Sequence, residues 1–257
     1  MTPGADLDLL IEAAREAGAL ASQRLAAGVT VEAKPGGSPV TDADLAVDAL
    51  LHERLLAARP DYGWLSEETT DDPDRLSRRR LFVVDPIDGT VAFFKHKPWW
   101  SVSIAVVEDG RPIAGVVYAP ALDELYSAAV GQGARLGKAR LQASRAALLE
   151  NAVVLGDARL LTPPAWPAMQ VSNRNSVAYR MSLVAAGAAD AAIAPTSKNE
   201  WDLAAADLIA AEAGALSTDG LGQAFAYNQP DTRRPSLVCA GPALHSLILE
   251  RLGRTSR

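Results

Sequence analysis

Cysteine is almost absent from this sequence: among 257 residues, only Cys239 is a cysteine. One cysteine excludes an internal disulfide framework and a metal site built from several thiolates. Because Cys239 lies in the apolar run SLVCAG, we expect a small buried side chain there. The fold must therefore be held by an apolar core, and a chain of this length with 49% hydrophobic residues can bury a large one.

Long apolar runs and excess basic charge are also lacking. No uncharged apolar stretch is long enough for a transmembrane helix, so we expect a soluble, globular protein. The early acidic residues of MTPGADLDLLIEAAREAGAL favour an amphipathic helix over a signal or transit peptide, which makes the cytoplasm the expected compartment. With a net charge of −6, neither a nucleic-acid polymer nor a membrane surface is an expected partner. The densest basic run, RLSRRR at Arg75–Arg80, is predicted to be a solvated loop.

Hydrophobic periodicity divides the chain into two halves. The first half predicts two helices, a buried strand and an antiparallel meander, in this order: Leu7–Leu25, Thr41 to just before Pro60, Arg80–Val84, and Ser101 onward. The second half alternates strands and helices in the manner of an α/β layer. We therefore predict a fold of the α+β or α/β class with a boundary between Ala143 and Asn151, which gives subdomains 1–145 and 146–257.

The stretch LFVVDPIDGT ends a predicted buried strand with two carboxylates three residues apart. Pro86 cannot extend a strand ladder and forces a turn, while Gly89 tolerates backbone angles that other residues resist. Asp85 and Asp88 can then converge around the carbonyl oxygen of Ile87. Two carboxylates and a carbonyl suit a hard cation such as Mg²⁺. An ordinary acidic surface turn with Asp-Pro and Asp-Gly chemistry is the alternative.

Further acidic residues occupy structured positions. Glu67 and Glu68 follow an apolar segment in GWLSEET, Asp44 lies in the first turn of the helix after Thr41, and Asp202 begins the helix of EWDLAAAD. Each by itself is explained equally well as an exposed loop acid or a helix cap. Taken together with the DPIDGT pair, they favour a metal site.

The order of these motifs along the chain carries a family resemblance. SEE precedes DPIDGT by about twenty residues, WDLAAAD follows more than a hundred residues later, and similarity extends from SPVTDAD through VEDGRPIAGVVYAPALDELYSA to AEAGA. The sequence thereby resembles the inositol monophosphatase family of metal-dependent, lithium-sensitive phosphomonoesterases. The resemblance implies a layered αβαβα sandwich of the inositol monophosphatase and fructose-1,6-bisphosphatase type, a small phosphorylated metabolite as substrate, and a homodimer as the family's habit.

The resemblance implies a site for two Mg²⁺ ions. Glu67, Asp85 and the Ile87 carbonyl would hold one ion, and Asp85, Asp88 and Asp202 the second. Glu68 is expected to support its neighbour. Two ions about 3.5–4 Å apart activate a water and neutralise the leaving oxygen of an in-line displacement, so no protein nucleophile is required. Magnesium also screens the repulsion between an acidic pocket and an anionic phosphate.

The resemblance also implies how water and phosphate are held. Thr90 and Asp44 would orient the attacking water, with Glu67 as the third catalytic residue, and the backbone amides of Gly89 and Thr90 would donate to phosphate oxygens. The residues expected at the substrate are Asp88, Gly89, Thr90 and Asp202. Whether Lys34, in the loop KPGGS, approaches a third metal ion or the phosphate is left open.

Two features bear on the substrate. The inositol-specific branch has a glutamate seven residues before the aspartate of the WD motif, and Pro195 occupies that position here. The segments SVAYRMSLVAAGAAD and APTSKNEWDLAAADLIAAEAGA resemble bacterial 3′(2′),5′-bisphosphate nucleotidases, which convert adenosine 3′,5′-bisphosphate to AMP and phosphate. This nucleotidase activity is the leading prediction, and an inositol monophosphatase or another small sugar or polyol phosphatase is the alternative.

The sequence departs from the family pattern where the leaving group would bind. Asn175–Ser176 replaces a glycine-serine pair and Leu136–Gly137 replaces an Asn-Gly pair, so contacts to the leaving group stay undetermined. A basic segment with two tryptophans follows the DGT turn. Its residues either line the pocket or form a basic loop with the tryptophans packed on the core: Lys95, His96, Lys97, Trp99 and Trp100.

Two other functional classes share some of these features. A haloacid dehalogenase phosphatase would form an aspartyl-phosphate at Asp85, but its two aspartates are two residues apart, whereas Asp85 and Asp88 are three apart with a proline between them. A metal-stabilised protein that binds a phosphorylated ligand without hydrolysing it would retain every matched residue. The glycines of GQGARLG have the wrong spacing for a dinucleotide fingerprint. A magnesium-dependent phosphomonoesterase is therefore the predicted function.

Overall fold

The computed structural model describes residues 2–34 and 36–255, with side chains up to residue 253. Pro35, in the predicted KPGGS loop, lies outside the described residues. The described residues form six α-helices: α1 Pro3–Ala27, α2 Asp42–Ala58, α3 Thr90–Phe94, α4 Val177–Ala185, α5 Glu200–Glu212 and α6 Pro242–Thr255. Two short 3₁₀ helices lie at Pro73–Ser77 and Pro120–Leu122.

Capping chemistry sets the ends of the first two helices. Thr41 and Asp44 form a capping box at the start of α2, in which each side chain accepts a hydrogen bond from the other residue's backbone amide. Helix α2 ends at Ala58, before Pro60, and α1 ends just before Gly28, which has a positive φ. Both ends agree with the sequence prediction.

The strands fall into two principal sheets and two small ones. Their bounds are β1 Val31–Ala33, β2 Pro39–Thr41, β3 Gly63–Ser66, β4 Arg80–Asp88, β5 Ser101–Glu108, β6 Arg111–Ala119, β7 Glu124–Ala129, β8 Ala134–Leu136, β9 Ala139–Arg140, β10 Val153–Leu155, β11 Gln170–Ser172, β12 Ala191–Ala194, β13 Lys198–Asn199, β14 Leu216–Thr218, β15 Arg233–Arg234 and β16 Leu237–Ala240. One sheet contains β3 to β9 in sequence order, and the other has the order β11-β10-β12-β16-β14. The small sheets pair β1 with β2 and β13 with β15.

The seven-stranded sheet contains the predicted meander. Every neighbouring pair from β4 to β9 is antiparallel, whereas β3 joins the edge parallel to β4. The sequence indicated only an apolar segment at β3, because four residues are too few for alternation to identify a strand. The five-stranded sheet is mixed: β10 runs parallel to β11 and β12, while β16 is antiparallel to β12 and β14.

Three apolar clusters fill the spaces between five alternating layers of helices and sheets, and one cluster reaches both principal sheets. One face of the seven-stranded sheet packs on α1 and α2, with Leu10 and Phe82 in the shared cluster. The opposite face packs on α4 and α5 through Val83 and Ala205, and the same cluster reaches the five-stranded sheet. The far face of that sheet packs on α6 around Ile248. The layer order is therefore αβαβα, as predicted.

The basic run RLSRRR is not a solvated loop throughout. Arg75 is only 2% exposed. Its guanidinium is paired with the Asp71 carboxylate, at 2.5 Å and 2.9 Å, and donates to the Asn228 side chain at 2.7 Å and the Gln229 carbonyl at 3.0 Å. The prediction was wrong for Arg75 because two of its partners lie about 150 residues further along the chain.

Other sequence predictions have mixed outcomes. Cys239 is free and fully buried, as expected. The division of the chain into residues 1–145 and 146–257 stays a prediction. Of the helices that the structure describes, none combines the length and the apolar character that crossing a membrane requires.

Candidate active site

A β-bulge in β4 brings the two aspartates of DPIDGT to one side of the sheet. Asp85 pairs with Ser103 of β5 and Asp88 pairs with Ser101, so three residue steps on β4 match two steps on β5. In a regular strand, residues three apart point to opposite faces, and the extra residue cancels that alternation. Pro86 suits the bulge because it has no N–H group to donate to the ladder. Asp85 and Asp88 consequently line the same cavity.

Three carboxylates from three elements meet at this cavity. Glu67 follows β3, Asp85 lies in β4, and Asp202 lies in the first turn of α5. Because β3 and β4 are parallel neighbours, their carboxyl-terminal ends lie side by side at one edge of the sheet. One oxygen from each of the three carboxylates lies within 4.8 Å of the other two. The fold therefore assembles three of the predicted ligands.

Asp88 is engaged by a helix N-terminus in this structure. Its carboxylate accepts hydrogen bonds from the Ser176 hydroxyl at 2.6 Å and from the backbone amides of Val177 at 3.2 Å and Ala178 at 2.7 Å. These amides start α4, where they have no partner within the helix and where negative charge is favourable. Asp88 lines the cavity, but its oxygens are not among the three that converge. Its assignment as a metal ligand stays a prediction.

The predicted Thr90–Asp44 pair is in contact. The Thr90 hydroxyl lies 3.3 Å from one Asp44 oxygen and 3.3 Å from the Ile87 carbonyl oxygen. The second Asp44 oxygen accepts from the Thr41 amide at 2.8 Å and the Thr41 hydroxyl at 2.5 Å. Asp44 is 1% exposed, so these contacts hold a buried carboxylate in one orientation. That carboxylate in turn directs the Thr90 hydroxyl.

Lys34 supplies positive charge to the acidic residues that follow β3. Its Nζ atom lies 2.8 Å from Glu67 Oε1 and 2.8 Å from Glu68 Oε1. The sequence left open whether this lysine reaches a metal ion or a phosphate, and in the structure it bridges two carboxylates. Burial by itself lowers the Lys34 pKa, but the two carboxylates outweigh burial and raise it.

Burial and mutual repulsion raise the pKa values of the clustered acids. Burial, followed by neighbouring acidic charge, raises the pKa of Asp85 well above its usual range. Burial and then the charge of Asp88 raise the pKa of Asp202 to about 7. Burial also raises the pKa of Glu68 to about 7, although Lys34 opposes the shift. The cluster therefore either takes up protons near neutral pH or binds a cation.

The donor set fits a hard divalent cation. Every converging side-chain atom is a carboxylate oxygen, the ligand type that Mg²⁺ prefers. The predicted neutral donor, the Ile87 carbonyl oxygen, accepts from the Thr90 hydroxyl at 3.3 Å; Ile87 is not among the described residues that line the cavity, and its role as a ligand stays a prediction. A divalent ion would remove the repulsion that raises the pKa values of Asp85 and Asp202.

The cavity has a volume of about 230 Å³ and includes residues that sequence reasoning did not single out. Ser38 immediately precedes β2, Pro39 begins that strand, and Lys198 comes from β13. In the sequence, Lys198 is indistinguishable from a surface lysine. Only its position four residues before Asp202 could have suggested proximity to the site.

The basic segment after the DGT turn is not among the described residues that line this cavity. Three of its members are exposed: Lys95, His96 and Lys97. Trp100 is buried and packs edge to face against Phe93, and the Trp99 ring lies 4.6 Å from the Arg174 guanidinium. Of the two alternatives for this segment, the structure has the basic loop with tryptophans packed on the core.

The positions that depart from the family pattern separate into two groups. Leu136 packs against the core and Gly137 lies at the end of β8, and neither lines the cavity. Asn175 does line it, and Ser176 forms the N-cap of α4. Pro195 lines an adjoining cavity. The Asn175–Ser176 departure therefore lies at the site, whereas Leu136–Gly137 does not.

Replacing Gly89 by alanine is expected to lower kcat/KM by up to about 100-fold, because small displacements of reacting groups carry losses of that size. Gly89 has a φ of +92°, and a Cβ atom there would lie 2.8 Å from the Ser176 backbone nitrogen. The clash would move Asp88 and Thr90 on either side of it. Gly28→Ala is the matched control, since Gly28 also has a φ of +92° but no neighbour within 4 Å. It should lose stability and retain activity; equal kinetic losses in both variants would contradict the prediction.

Comparison with known proteins identifies the family. Residues 6–256 match the model of the inositol monophosphatase family. The chain is 35% identical, over an alignment 266 positions long, to a histidinol-phosphatase of Mycobacterium tuberculosis; the alignment covers 96% of this chain and 97% of that protein. It is 32% identical, over an alignment 243 positions long, to the 3′(2′),5′-bisphosphate nucleotidase CysQ of Aggregatibacter actinomycetemcomitans; the alignment covers 87% of each protein.

The fold comparison gives the same result. The structure of an IMPase from Thermotoga maritima is similar with a TM-score of 0.85, covers 97% of both chains and is 28% identical to this sequence. The resemblance predicted from the motifs is thereby confirmed, as is the layered fold. The chain belongs to the inositol monophosphatase family of phosphatases.

Proposed function

We propose that this protein hydrolyses a phosphate monoester by Mg²⁺-dependent attack of water. The observation that carries the proposal is the convergence of Glu67, Asp85 and Asp202 beside the Thr90–Asp44 pair. A cluster of carboxylates can hold divalent cations next to an anionic phosphate, and an oriented hydroxyl can position a water. The two features lie at one cavity because the bulge of β4 carries both Asp85 and the DGT turn.

Five residues would hold two ions in this proposal. Glu67, Asp85 and the Ile87 carbonyl would bind one, and Asp85, Asp88 and Asp202 the other. When bound, Mg²⁺ supplies Lewis-acid chemistry that lowers the pKa of water and neutralises charge on the leaving oxygen. Asp88 can combine this with capping α4, because two carboxylate oxygens offer about four acceptor sites.

The residues of the DGT turn orient the reactants. The Thr90 hydroxyl faces two acceptors, Asp44 and the Ile87 carbonyl, so its proton is directed toward the protein. Its oxygen can then accept a hydrogen bond from a water, which turns a lone pair of that water toward phosphorus. The backbone amides of Gly89 and Thr90, at the start of α3, donate to phosphate oxygens. Lys198 adds positive charge at the cavity wall.

The substrate that we place first is adenosine 3′,5′-bisphosphate. The similarity to CysQ, at 32% identity, supports this choice. Pro195 in place of the glutamate of the inositol-specific branch weakens the inositol alternative. Histidinol phosphate must be tested beside them, because the M. tuberculosis relative is named a histidinol-phosphatase.

The test is a substrate panel with purified protein. Phosphate release is measured from adenosine 3′,5′-bisphosphate, inositol 1-phosphate, histidinol phosphate and a sugar phosphate, each with Mg²⁺ and with a chelator. We expect Mg²⁺-dependent release and the highest kcat/KM for the nucleotide. A higher kcat/KM for another ester would replace the substrate and retain the reaction. No release from any ester would favour a non-catalytic protein that binds phosphorylated ligands.

The family resemblance implies three further properties, which we propose together with the reaction. We expect lithium to inhibit the reaction, the protein to form a homodimer and its compartment to be the cytoplasm. Lithium titration in the same assay checks the first, and full activity at high lithium would contradict it.

A further inference from the structure

Asp48 holds the bend at residues 66–69, which contains Glu67 and Glu68. It lies in α2 and is 7% exposed. One Asp48 oxygen accepts a hydrogen bond from the Ser66 hydroxyl, and the other accepts from the Thr69 hydroxyl at 2.6 Å. Ser66 and Thr69 are the first and last residues of the 66–69 bend, so a single carboxylate contacts both of its ends.

The hydrogen bonds around the 66–69 bend all run in one consistent direction. A carboxylate accepts hydrogen bonds and donates none, so both hydroxyl hydrogens point to Asp48 and the hydroxyl lone pairs are left for other donors. The Ser66 oxygen accepts from the Glu68 amide at 3.4 Å. The Thr69 oxygen accepts from Trp64 Nε1 at 3.3 Å. Asp48 therefore orients two hydroxyls that in turn hold the backbone of the bend and the strand before it.

Helix α2 thereby contacts two separate parts of the acidic site. Asp44 and Asp48 are four residues apart in α2, so they lie on the same face of the helix, one turn from each other. Asp44 contacts the Thr90 hydroxyl, and Asp48 contacts both ends of the bend that carries Glu67. Because the helix is rigid over one turn, it fixes the bend relative to the Thr90 hydroxyl.

The Asp48 carboxylate is buried without a cation. Among the described residues it forms no ion pair within 4.0 Å, and its hydrogen-bond donors are the Ser66 and Thr69 hydroxyls. A buried carboxylate of this kind costs free energy unless its contacts are well aligned. A neutral amide in its place would present a donor to one hydroxyl and leave the hydrogen of that hydroxyl without an acceptor. The carboxylate therefore fixes both ends of the bend in a way that an amide would not.

We propose that Asp48 is a positioning residue for the metal site, which fixes the bend that presents Glu67 to a divalent ion. Asp48 is not among the described residues that line the acidic cavity, so it acts through Glu67 and touches neither ion nor substrate. The inference rests on the proposed function, because it requires a divalent ion at Glu67. Replacing a group that orients a metal ligand typically changes metal affinity or activity about 10- to 100-fold.

The first test measures Mg²⁺ affinity by calorimetric titration of chelator-treated protein, well below the melting temperature of each variant. Asp48→Ala removes both acceptors and should weaken Mg²⁺ binding about 10- to 100-fold. The Mg²⁺ concentration that gives half-maximal phosphate release should rise by the same factor. Asp48→Asn retains one acceptor and should lose less affinity than Asp48→Ala.

Asp190→Ala is the matched control for Asp48→Ala. Asp190 also accepts hydrogen bonds from a serine hydroxyl, that of Ser144, and from the Val153 amide at 2.8 Å, but it does not line the acidic cavity or contact a residue that does. Its replacement should lower the melting temperature and leave Mg²⁺ affinity unchanged. A change in Mg²⁺ affinity that is confined to the Asp48 variants therefore separates positioning from general loss of stability.

A second variant probes the same contact from the exposed side. Thr69→Val keeps the shape of an exposed side chain and removes its hydrogen bond to Asp48, so it should fold and weaken Mg²⁺ binding by a smaller factor than Asp48→Ala. Thr70→Val is its control, since Thr70 is exposed as well and has no side-chain hydrogen bond among the described residues. In the Asp48→Ala background, Thr69→Val should have no further effect on Mg²⁺ affinity, because the contact is already lost. If Asp48→Ala does not fold, Thr69→Val decides the result.

Failure of the inference and failure of the proposed function give different patterns. If wild type binds Mg²⁺ and releases phosphate, but Asp48→Ala and Thr69→Val bind Mg²⁺ as tightly as wild type, the positioning role is overturned and the reaction stands. An equal loss of Mg²⁺ affinity in Asp190→Ala also overturns that role. If the variants bind Mg²⁺ more weakly but wild type hydrolyses no ester, the phosphatase proposal fails and the positioning role stands. If wild type binds no Mg²⁺, both fail.

Discussion

Asp202→Asn is expected to lower kcat by at least about two to three orders of magnitude. Asp202 offers one of the three converging carboxylate oxygens, and the amide removes the negative charge that holds a divalent ion. The fold should survive, because the Asp202 side chain caps α5 by accepting from the Asn199 amide at 2.8 Å, and the asparagine oxygen can do the same. Steady-state kinetics with Mg²⁺ titration measures the loss.

The controls separate loss of metal from loss of structure. Asp61→Asn removes an exposed carboxylate outside the cavity and should retain wild-type kcat. Asp88→Asn should lose activity to a similar extent, because Asp88 is proposed to share an ion with Asp202. Calorimetric Mg²⁺ titration should show weaker binding in both site variants. Near-normal kcat in either one would refute its assignment as a metal ligand.

Mg²⁺ is expected to raise the melting temperature of the protein by roughly 5–10 °C. At a concentration 100 times its dissociation constant, an ion that binds only the folded state adds about 2.7 kcal/mol to the free energy of unfolding. For a chain of this size, each kcal/mol corresponds to about 2–4 °C. The gain arises because Mg²⁺ relieves repulsion among Glu67, Asp85 and Asp202. Thermal unfolding with Mg²⁺ and with a chelator measures it, and the Asp202→Asn shift should be smaller.

The same cluster predicts a pH dependence for the metal-free protein. Burial raises the pKa values of Asp202 and Glu68 to about 7 in the folded state, from usual values of 3.8 and 4.5. Between about pH 4 and pH 7 the folded state therefore binds more protons than the unfolded chain, and stability falls as pH rises through that window. His245 acts in the opposite direction below about pH 6.5, because burial lowers its pKa.

Comparing wild type with Asp202→Asn removes the contribution of His245, which both share. In chelator, the variant should gain stability relative to wild type as pH rises from about 5 to about 8. With Mg²⁺ the order should reverse, since binding of the ion needs the ionised carboxylate. A melting-temperature difference that does not change with pH would show that Asp202 is not the group that titrates.

Several features of the site could be predicted from the sequence because they depend on local chemistry. The sequence predicted that Pro86 interrupts the strand and that Gly89 permits a turn; β4 is interrupted there by a bulge, but it continues to Asp88, beyond the predicted end at Val84. The Thr41–Asp44 capping box follows from residue types at fixed spacing. The ordered motifs also indicated the family, and that resemblance implied the αβαβα layers, whereas periodicity indicated only the α+β or α/β class.

Other features depend on contacts between residues that are far apart in the sequence. The sequence contained Asp88 as a candidate ligand, but only the packing of α4 against β4 shows that it also caps that helix. The sequence predicted a solvated side chain for Arg75, but in the folded chain its guanidinium donates to Asn228 and Gln229. Local patterns encode the period of an element and the chemistry of its ends, and they do not encode which distant element lies against it.

The two adjoining cavities show this division most clearly. The acidic residues that line the first cavity belong to motifs that can be recognised in the sequence: SEE, DPIDGT and WDLAAAD. The cations of the second, Arg174, Arg180 and Lys198, lie in a loop, a helix and a two-residue strand, and their spacing in the sequence does not indicate that they share a cavity. Only the fold places them on the wall of one cavity. The sequence alone therefore indicated the phosphatase family and its acidic residues, and only the tertiary structure decided which carboxylate oxygens converge, because residues far apart in the chain meet only when it folds.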